Sequence, residues 1–235
     1  VLKVERGNGE MIFEGAAGNI TLTNQYFIAS TTKIYTTAMI MKLRSENYLN
    51  LEDKITNFFD KNELDGIASY KGKNYLDQIT VKDLLAHTSG LPSYFADKDE
   101  TGSSSEGRLM KNIDEDWPFN KVLAFAKKNE LKFIPGAKGK AHYSDTNFQL
   151  LGAIVEKARG KVLAEIFEAE IFKPLSLENT YAFRPNVNSN LVGMYYKDSQ
   201  ISIPKAMASF DSDGGIVSNV SESMIFLKAF MQGKL

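Results

Sequence analysis

Two side chains that could perform nucleophilic chemistry, Ser30 and Lys33, stand three positions apart where a long helical pattern begins. That spacing places both on one face of a helix, within reach of each other. A serine hydroxyl becomes an effective nucleophile only when a neighbouring base takes its proton. A lysine can be that base if burial or the positive end of a helix lowers its pKa. The alternative is a capping serine followed by an exposed lysine, and the spacing alone leaves both interpretations open.

A second group of candidate residues, Tyr143 to Asp145, precedes another helical pattern. A tyrosine at the start of a helix can present its phenol to a cleft, where a nearby lysine cation favours the phenolate and suits it to act as a general base. The alternatives are a surface aromatic for Tyr143 and a helix cap for Ser144 or Asp145. We expect Asp145 to lie beside Lys33 and to accept a hydrogen bond from it, which would raise the pKa of that lysine. His87, just before Gly90, is better explained as a buried structural hydrogen-bonding residue than as a catalytic base.

The elements that position these residues can be predicted from hydrophobic spacing and turn signals. Residues 1–16 form a β-hairpin around an Asn-Gly turn. Helical patterns follow. They are separated by a predicted surface loop at residues 96–116 and by a polar stretch from 174 to about 219. The predicted helices cover, in chain order, about residues 30–48, 81–87, 117–129, 148–158, 163–171 and 219–233, the last with Asn219 as cap and Glu222 as capping-box partner. The sequence therefore predicts an α+β fold, a helical body packed on a small antiparallel sheet.

Composition removes several classes of function. The 235 residues are 43% hydrophobic and carry a net charge of −1, which is ordinary globular composition with no basic field for nucleic acid. No apolar run approaches the roughly 18 residues that a membrane span needs. The chain has no cysteine and only two histidines, His87 and His142, so disulfides and Cys-ligated metal are excluded. We expect no cofactor and no metal.

Five segments, taken together, resemble the serine β-lactamase and penicillin-binding-protein superfamily over nearly the whole chain. Within it, the sequence is most similar to class C β-lactamases, D-alanyl-D-alanine carboxypeptidases and related serine esterases. Each motif is weak alone, but their order is specific. They are Ser30-Thr31-Thr32-Lys33, His87-Thr88-Ser89-Gly90-Leu91-Pro92, Phe133-Ile134-Pro135-Gly136, Tyr143-Ser144-Asp145 and Gly214-Gly215-Ile216-Val217-Ser218.

The resemblance implies a role for each matching residue. Ser30 corresponds to the acylated nucleophile, and its backbone N–H to one oxyanion-hole donor. Lys33 corresponds to the proton-transfer partner and Tyr143 to the presumed base of the Tyr-x-Asn motif. Asp145 occupies the third position of that motif, where the family has a substrate-binding Asn. An ionised carboxylate accepts hydrogen bonds but cannot donate them as an amide does.

The resemblance also implies one β-lactamase-like catalytic domain over residues 1–235, with about residues 50–200 as the helical lobe. The family's third motif, Lys-Thr-Gly or His-x-Gly on a strand, would follow the last helix, and the sequence ends at Leu235 without it. We therefore expect residues 1–29 to form the sheet with C-terminal strands lacking here. Such strands would belong to a longer chain, or would come from another copy by strand exchange.

The functional expectation is a serine hydrolase that forms an acyl-enzyme with D-alanyl peptides, β-lactams or esters. The alternative is a non-catalytic relative that binds peptidoglycan or a peptide in the same cleft. We expect a small-molecule or peptide substrate and an extracytoplasmic location, with the signal peptide absent from this chain, or a cytoplasmic location for an esterase.

Overall fold

The computed structural model describes residues 1–185 and 191–235, so the part of the predicted helical lobe at 186–190 lies outside the described residues. The helices are α1 (Thr32–Ser45), α2 (Lys61–Leu64), α3 (Val81–Leu85), α4 (Ser105–Leu109), α5 (Phe119–Lys128), α6 (Asp145–Arg159), α7 (Leu163–Phe167), α8 (Pro204–Ala208) and α9 (Val220–Met231). The strands are β1 (Leu2–Glu5), β2 (Met11–Gly15), β3 (Tyr26–Phe27), β4 (Ser69–Tyr70), β5 (Lys73–Asn74), β6 (Tyr181–Ala182), β7 (Met194–Tyr196), β8 (Ser199–Ile201) and β9 (Ile216–Ser218). The predicted α+β class is confirmed.

The N-terminal hairpin forms as predicted. β1 and β2 pair antiparallel from Leu2 opposite Gly15 to Glu5 opposite Met11, with an irregularity between Val4 and Glu5. The hairpin lies against α9, where Lys228 pairs with Glu5.

The sheet beside the candidate nucleophile contains strands that the sequence analysis does not identify. β9 pairs antiparallel with β3 on one side and with β6 on the other, so this sheet joins residues 26–27 to segments at 181–182 and 216–218. The pairing of residues 1–29 with strands beyond the last helix concerns residues outside this sequence and stays a prediction. The prediction missed β6 and β9 because strands of two or three residues are too short to show a period of two.

α1 is the central helix of the core. A short 3₁₀ turn over Ala29–Thr31 precedes it, so the regular helix begins two residues after Ser30. Tyr35 and Phe226 stack with ring centroids 3.5 Å apart, which joins α1 to α9. Ala29 has φ +48°, a left-handed conformation that is uncommon without glycine and that turns the chain sharply into Ser30.

Two predicted loops contain regular structure. Within 96–116, α4 forms because the Ser104 side chain accepts a hydrogen bond from the Gly107 N–H at 3.1 Å and Leu109 is buried. The polar stretch from 174 to 219 contains β6 to β9 and α8. Its β7–β8 hairpin turns at Lys197 with φ +56°, a non-glycine residue that gives no turn signal in the sequence.

Several helix ends match the prediction. Thr80 and Asp83 form the capping box of α3, and Asn219 caps α9 by accepting from the Glu222 N–H at 2.9 Å. The Glu222 carboxylate does not return to Asn219, since it accepts hydrogen bonds from Asn179 and Thr180. In the described part of the chain, no helix has the length and apolar character needed to cross a membrane.

Candidate active site

Ser30 lies at the entrance to α1 with an exposed side chain. Its hydroxyl makes no hydrogen bond to another group in residues 1–185 or 191–235, and its backbone N–H has no acceptor there. The turn that holds it is fixed from the far end of the chain, since the Ile28 N–H donates to the Ile216 carbonyl at 3.0 Å. An exposed hydroxyl beside a free N–H suits a nucleophile next to one oxyanion donor.

Lys33 is buried one turn beyond Ser30 and donates two hydrogen bonds. Its Nζ donates to Asp145 Oδ1 at 2.7 Å and to the Asp213 carbonyl at 2.8 Å. The second oxygen of Asp145 accepts from the Ser93 hydroxyl at 2.8 Å. The prediction that Asp145 lies beside Lys33 and accepts its hydrogen bond is confirmed.

Burial lowers the pKa of the Lys33 ammonium, but Asp213 and Asp145 outweigh burial and hold that pKa above its ordinary value. The lysine is therefore a cation at neutral pH. This contradicts the interpretation of Lys33 as a free base with a lowered pKa, because that interpretation included burial and the helix start but not a second acidic neighbour.

Asp213 is the acidic neighbour that sequence reasoning did not identify. Its Oδ2 accepts from the Tyr94 hydroxyl at 2.7 Å, and its Oδ1 is buried without a partner among the described residues. Burial raises the pKa of the Asp213 carboxyl to about 7, with Lys33 opposing the rise and Asp145 adding to it. One ammonium thus faces two carboxyl groups, and Asp213 is the one that retains a proton close to neutrality. The sequence feature that could have identified Asp213 is its position directly before the Gly214-Gly215 motif.

Tyr143 is half-exposed, at 51%, and presents its ring to the lysine. Lys33 Nζ lies 5.1 Å from the centroid of the Tyr143 ring, a cation–π distance. The Tyr143 hydroxyl makes no hydrogen bond within the described ranges. Ser30, Lys33 and Tyr143 thus make no direct hydrogen bond with one another, and two of the three lysine protons go to Asp145 and the Asp213 carbonyl.

Two segments far apart in sequence hold these residues together. The Pro92 carbonyl accepts from the Ser144 hydroxyl at 3.1 Å and from the Thr146 hydroxyl at 2.7 Å. Thr146 in turn accepts from the Tyr94 N–H at 3.2 Å. Ser144 therefore does not cap α6 through its side chain, contrary to one interpretation of the sequence. Gly90 is required in the first segment, since its φ is +76° and a Cβ would lie 2.2 Å from the Phe133 carbonyl oxygen.

A cavity of about 340 Å³ opens beside Ser30. Asp145, Asp213 and Gly214 reach its wall, and the rest is mostly apolar. The apolar and aromatic lining comes from Tyr26, Phe27, Tyr94, Phe95, Leu109, Val192, Met194, Ile203, Met207 and Phe210. A larger cavity of about 470 Å³ lies beside Trp117 and α5 and contains none of the candidate residues. In residues 1–185 and 191–235, no three acidic or histidine side chains converge as metal ligands would.

This arrangement of helices, a small sheet and a serine at a helix entrance defines a β-lactamase or penicillin-binding-protein fold. The chain belongs to the Beta-lactamase family, whose sequence model matches residues 5–235. The resemblance inferred from the five motifs is confirmed.

Individual relatives carry hydrolase names. The chain is 34% identical over 162 residues to a putative D-alanyl-D-alanine carboxypeptidase of Escherichia coli K12, covering 68% of this chain and 34% of the relative. It is 29% identical over 216 residues to Beta-lactamase-like protein 4 of Dictyostelium discoideum, covering 88% and 35%. The chain thus spans about a third of the length of these curated relatives. Among solved structures, a D-stereospecific amidohydrolase from Streptomyces sp. superposes with a TM-score of 0.76 at 25% identity, over 93% of this chain and 64% of that one.

Proposed function

We propose that this chain carries the catalytic residues of a serine hydrolase that is acylated on Ser30. The observation that carries the proposal is the exposed Ser30 hydroxyl at the edge of the 340 Å³ cavity, one helical turn from the buried Lys33 ammonium. A serine with only a capping role would have its hydroxyl bonded to the backbone of the helix that it begins. Ser30 has no such bond.

In the proposed reaction, the Ser30 oxygen forms a bond to the substrate carbonyl carbon, and its proton passes to the Tyr143 oxygen. The charge on the carbonyl oxygen is stabilised by the Ser30 N–H. Collapse of the tetrahedral intermediate breaks the bond to the leaving group, which takes the proton back from Tyr143. A water molecule then attacks the acyl-enzyme by the same proton route and releases the acid. Lys33 acts as a fixed cation that stabilises negative charge on the phenol, because Asp145 and the Asp213 carbonyl hold its ammonium in place through two of its three protons.

The substrates that we propose are D-alanyl peptides, related D-amino acid amides, β-lactams and simple esters. The names of the relatives support a carbonyl substrate of this group. The mostly apolar cavity wall supports an apolar acyl group, since burying apolar surface is the main source of affinity in such pockets.

Intact-mass measurement after exposure to a p-nitrophenyl ester and to a penicillin tests the proposal. We expect the mass to increase by one acyl group, on a peptide that contains Ser30. Ser30→Ala should lose both the adduct and turnover, since residues of a nucleophilic unit fail together. Ser45→Ala, at the exposed far end of α1, is the matched control and should retain both.

The non-catalytic alternative predicts a different result. A binding module would retain peptidoglycan fragments or penicillin reversibly, without an adduct and equally well in the Ser30→Ala variant. An adduct on a residue other than Ser30 would also overturn the assignment.

A further inference from the structure

The motif that begins at His87 has no role in the proposed reaction, yet it contacts the segment of Tyr143 at successive positions. We propose that His87 is a positioning residue for Tyr143, and that it acts only as a neutral imidazole with Nδ1 unprotonated. The expected effect of His87 on the reaction rate rests on the proposed function, whereas its effect on the position of Tyr143 rests on the contacts between the two residues.

The backbone on both sides of Tyr143 is bonded to the same histidine. The His142 N–H donates to the His87 carbonyl at 2.9 Å, and the Ser144 N–H donates to His87 Nδ1 at 3.1 Å. The ring of Tyr143 lies against the imidazole, with centroids 4.4 Å apart and planes inclined by 30°. Three contacts from one residue thus fix the chain before Tyr143, the chain after it and the ring itself.

The backbone of His87 is shaped for this purpose. Its φ of +58° is in the left-handed region, where histidine is found more often than most other non-glycine residues. The turn directs the carbonyl and the ring of one residue toward the same neighbouring segment. The imidazole also lies near the ring of Phe148 in α6, with centroids 5.4 Å apart, so two aromatic neighbours limit its movement.

The hydrogen bonds determine the tautomer. The Ser89 hydroxyl donates to Asn147 Oδ1 at 2.7 Å, which turns the amide nitrogen of Asn147 toward His87 Nδ1 at 3.2 Å. The Ser144 N–H faces the same nitrogen, and its direction is fixed by the backbone. Two donors meet Nδ1, so Nδ1 must be an acceptor and the ring proton resides on Nε2. A proton added to Nδ1 would face both donors and break the bond to Ser144.

The charged groups around the imidazole come from each element packed against it. Lys33 of α1, Asp145 of α6, and His142 and Tyr143 of the preceding segment are the titratable neighbours. Burial and then Lys33 lower the pKa of His87 below its ordinary value of 6.5, with Asp145 opposing and His142 adding to the effect. The ring is thus neutral at pH 7 and becomes charged as the pH falls below 6.5, which releases Tyr143 from its position.

The test is the rate of Ser30 acylation by a p-nitrophenyl ester, measured between about pH 5 and 8, where histidine titrates. Two variants of His87 separate its two functions. His87→Asn retains an acceptor near the position of Nδ1, tolerates a positive φ and does not titrate. His87→Phe retains the aromatic contact with Tyr143 but offers no acceptor to Ser144. His142→Gln is the control, since its side chain contacts Asp97 and makes the smallest of the contributions to the His87 pKa named above.

We expect the wild-type rate to fall at acid pH with a midpoint below 6.5, and the His142→Gln variant to behave alike. His87→Asn should lose the part of this acid limb that His87 contributes, so the ratio of its rate to the wild-type rate should rise as the pH falls, while the titrations of the other site groups, Asp213 among them, remain in both proteins. Its rate at pH 7.5 should be only a few-fold below wild type. His87→Phe should be slower by about tenfold or more at every pH while still folded by circular dichroism, since a displacement of about 1 Å can cost a hundredfold in rate. An unchanged acid limb in His87→Asn, or a wild-type rate in His87→Phe, would overturn the proposal.

A nuclear magnetic resonance titration separates this inference from the proposed function. If the chain proves not to hydrolyse esters, the ring nitrogens of His87 still report its tautomer, and the His142→Gln variant leaves His87 as the sole histidine. The proposal requires a protonated Nε2, and Tyr143 ring signals that shift together with the His87 titration. A protonated Nδ1, or Tyr143 signals that do not follow His87, would refute it whether or not the chain is an enzyme.

Discussion

Replacing Asp145 with alanine removes one side of the buried ion pair that holds Lys33. The pair is short, at 2.7 Å, and both side chains are less than a tenth exposed. Removal also leaves the Ser93 hydroxyl without the acceptor that it meets at 2.8 Å. Breaking a buried pair from one side costs about 3–5 kcal/mol, because the remaining charge stays buried without its partner.

The loss should fall at the lower end of that range, because Asp213 offers Lys33 a second carboxyl. Without Asp145, one cause of the raised pKa of Asp213 disappears, so this carboxyl ionises more readily and partly compensates. A destabilisation of about 3 kcal/mol corresponds to a fall in Tm of roughly 6–12 °C for a domain of this size. The fall should be larger at pH 5 than at pH 8, since Asp213 holds more of its proton at the lower pH.

Thermal unfolding followed by circular dichroism measures this effect. Glu52→Ala, which breaks the exposed pair with Lys82, is the matched control and should cost less than about 1 kcal/mol. The double variant Lys33→Met with Asp145→Ala should recover much of the loss, because no buried charge then remains unpaired. A Tm for Asp145→Ala within about 2 °C of the control would refute the reasoning, as would a double variant less stable than Asp145→Ala alone.

Three further outcomes follow from the same site. Tyr143→Phe should lower kcat by about 10²–10⁴-fold with little change in KM, as expected when a general base is lost, and an unchanged kcat would contradict the assignment. Asp145→Asn should stay folded and shift the ratio of amide to ester hydrolysis toward amides, because an amide donates to a substrate carbonyl; an unchanged ratio would oppose a substrate-binding role. Asp213→Asn removes a carboxyl whose pKa is raised by burial to about 7. In the wild type, protonation of this carboxyl in the folded state contributes to the free energy of unfolding, and that contribution is lost as the pH rises through 7. The wild-type Tm should therefore fall more steeply than that of Asp213→Asn as the pH rises from about 4 to 7, and the two profiles should run parallel above about pH 8.

The parts of the fold that could be predicted are those with a long hydrophobic period or a specific turn. α1, α5, α6 and α9 each repeat apolar residues over several turns, and the Asn-Gly pair marks the hairpin of β1 and β2. The β3–β9–β6 sheet could not be predicted in the same way. Its strands have two or three residues, and their pairing depends on contacts between segments about 35 positions apart for β6 and β9 and about 190 positions apart for β3 and β9.

The residue types of the candidate site could be predicted from the sequence, but the charge states of Lys33 and its acidic neighbours could not. The spacing of Ser30 and Lys33 predicts that both lie at the start of one helix, and the structure has Ser30 in the 3₁₀ turn before α1 and Lys33 in its first turn. Whether Lys33 is a base or a cation depends on Asp145 and Asp213, which are 112 and 180 positions away. No local sequence pattern indicates a contact between residues so far apart in the chain. The role of His87 as a hydrogen-bonding residue was predictable from its position at a helix end, but its contact with Tyr143 was not.

The bonds that fix α1 to the segment 212–216 impose an order of events during synthesis. The Ile216 N–H donates to Thr32, Thr36 donates to the Ser212 carbonyl, and Lys33 donates to the Asp213 carbonyl, across 176 to 184 positions of sequence. At a translation rate of about 5–20 residues per second, α1 leaves the ribosome roughly 10 to 40 s before these partners exist. The Tyr35 ring of α1 can pack against Phe167 and Phe172 earlier, but its stacking partner Phe226 is added only after that interval. The nascent chain must therefore hold α1 with part of its native packing missing until most of the sequence has been made.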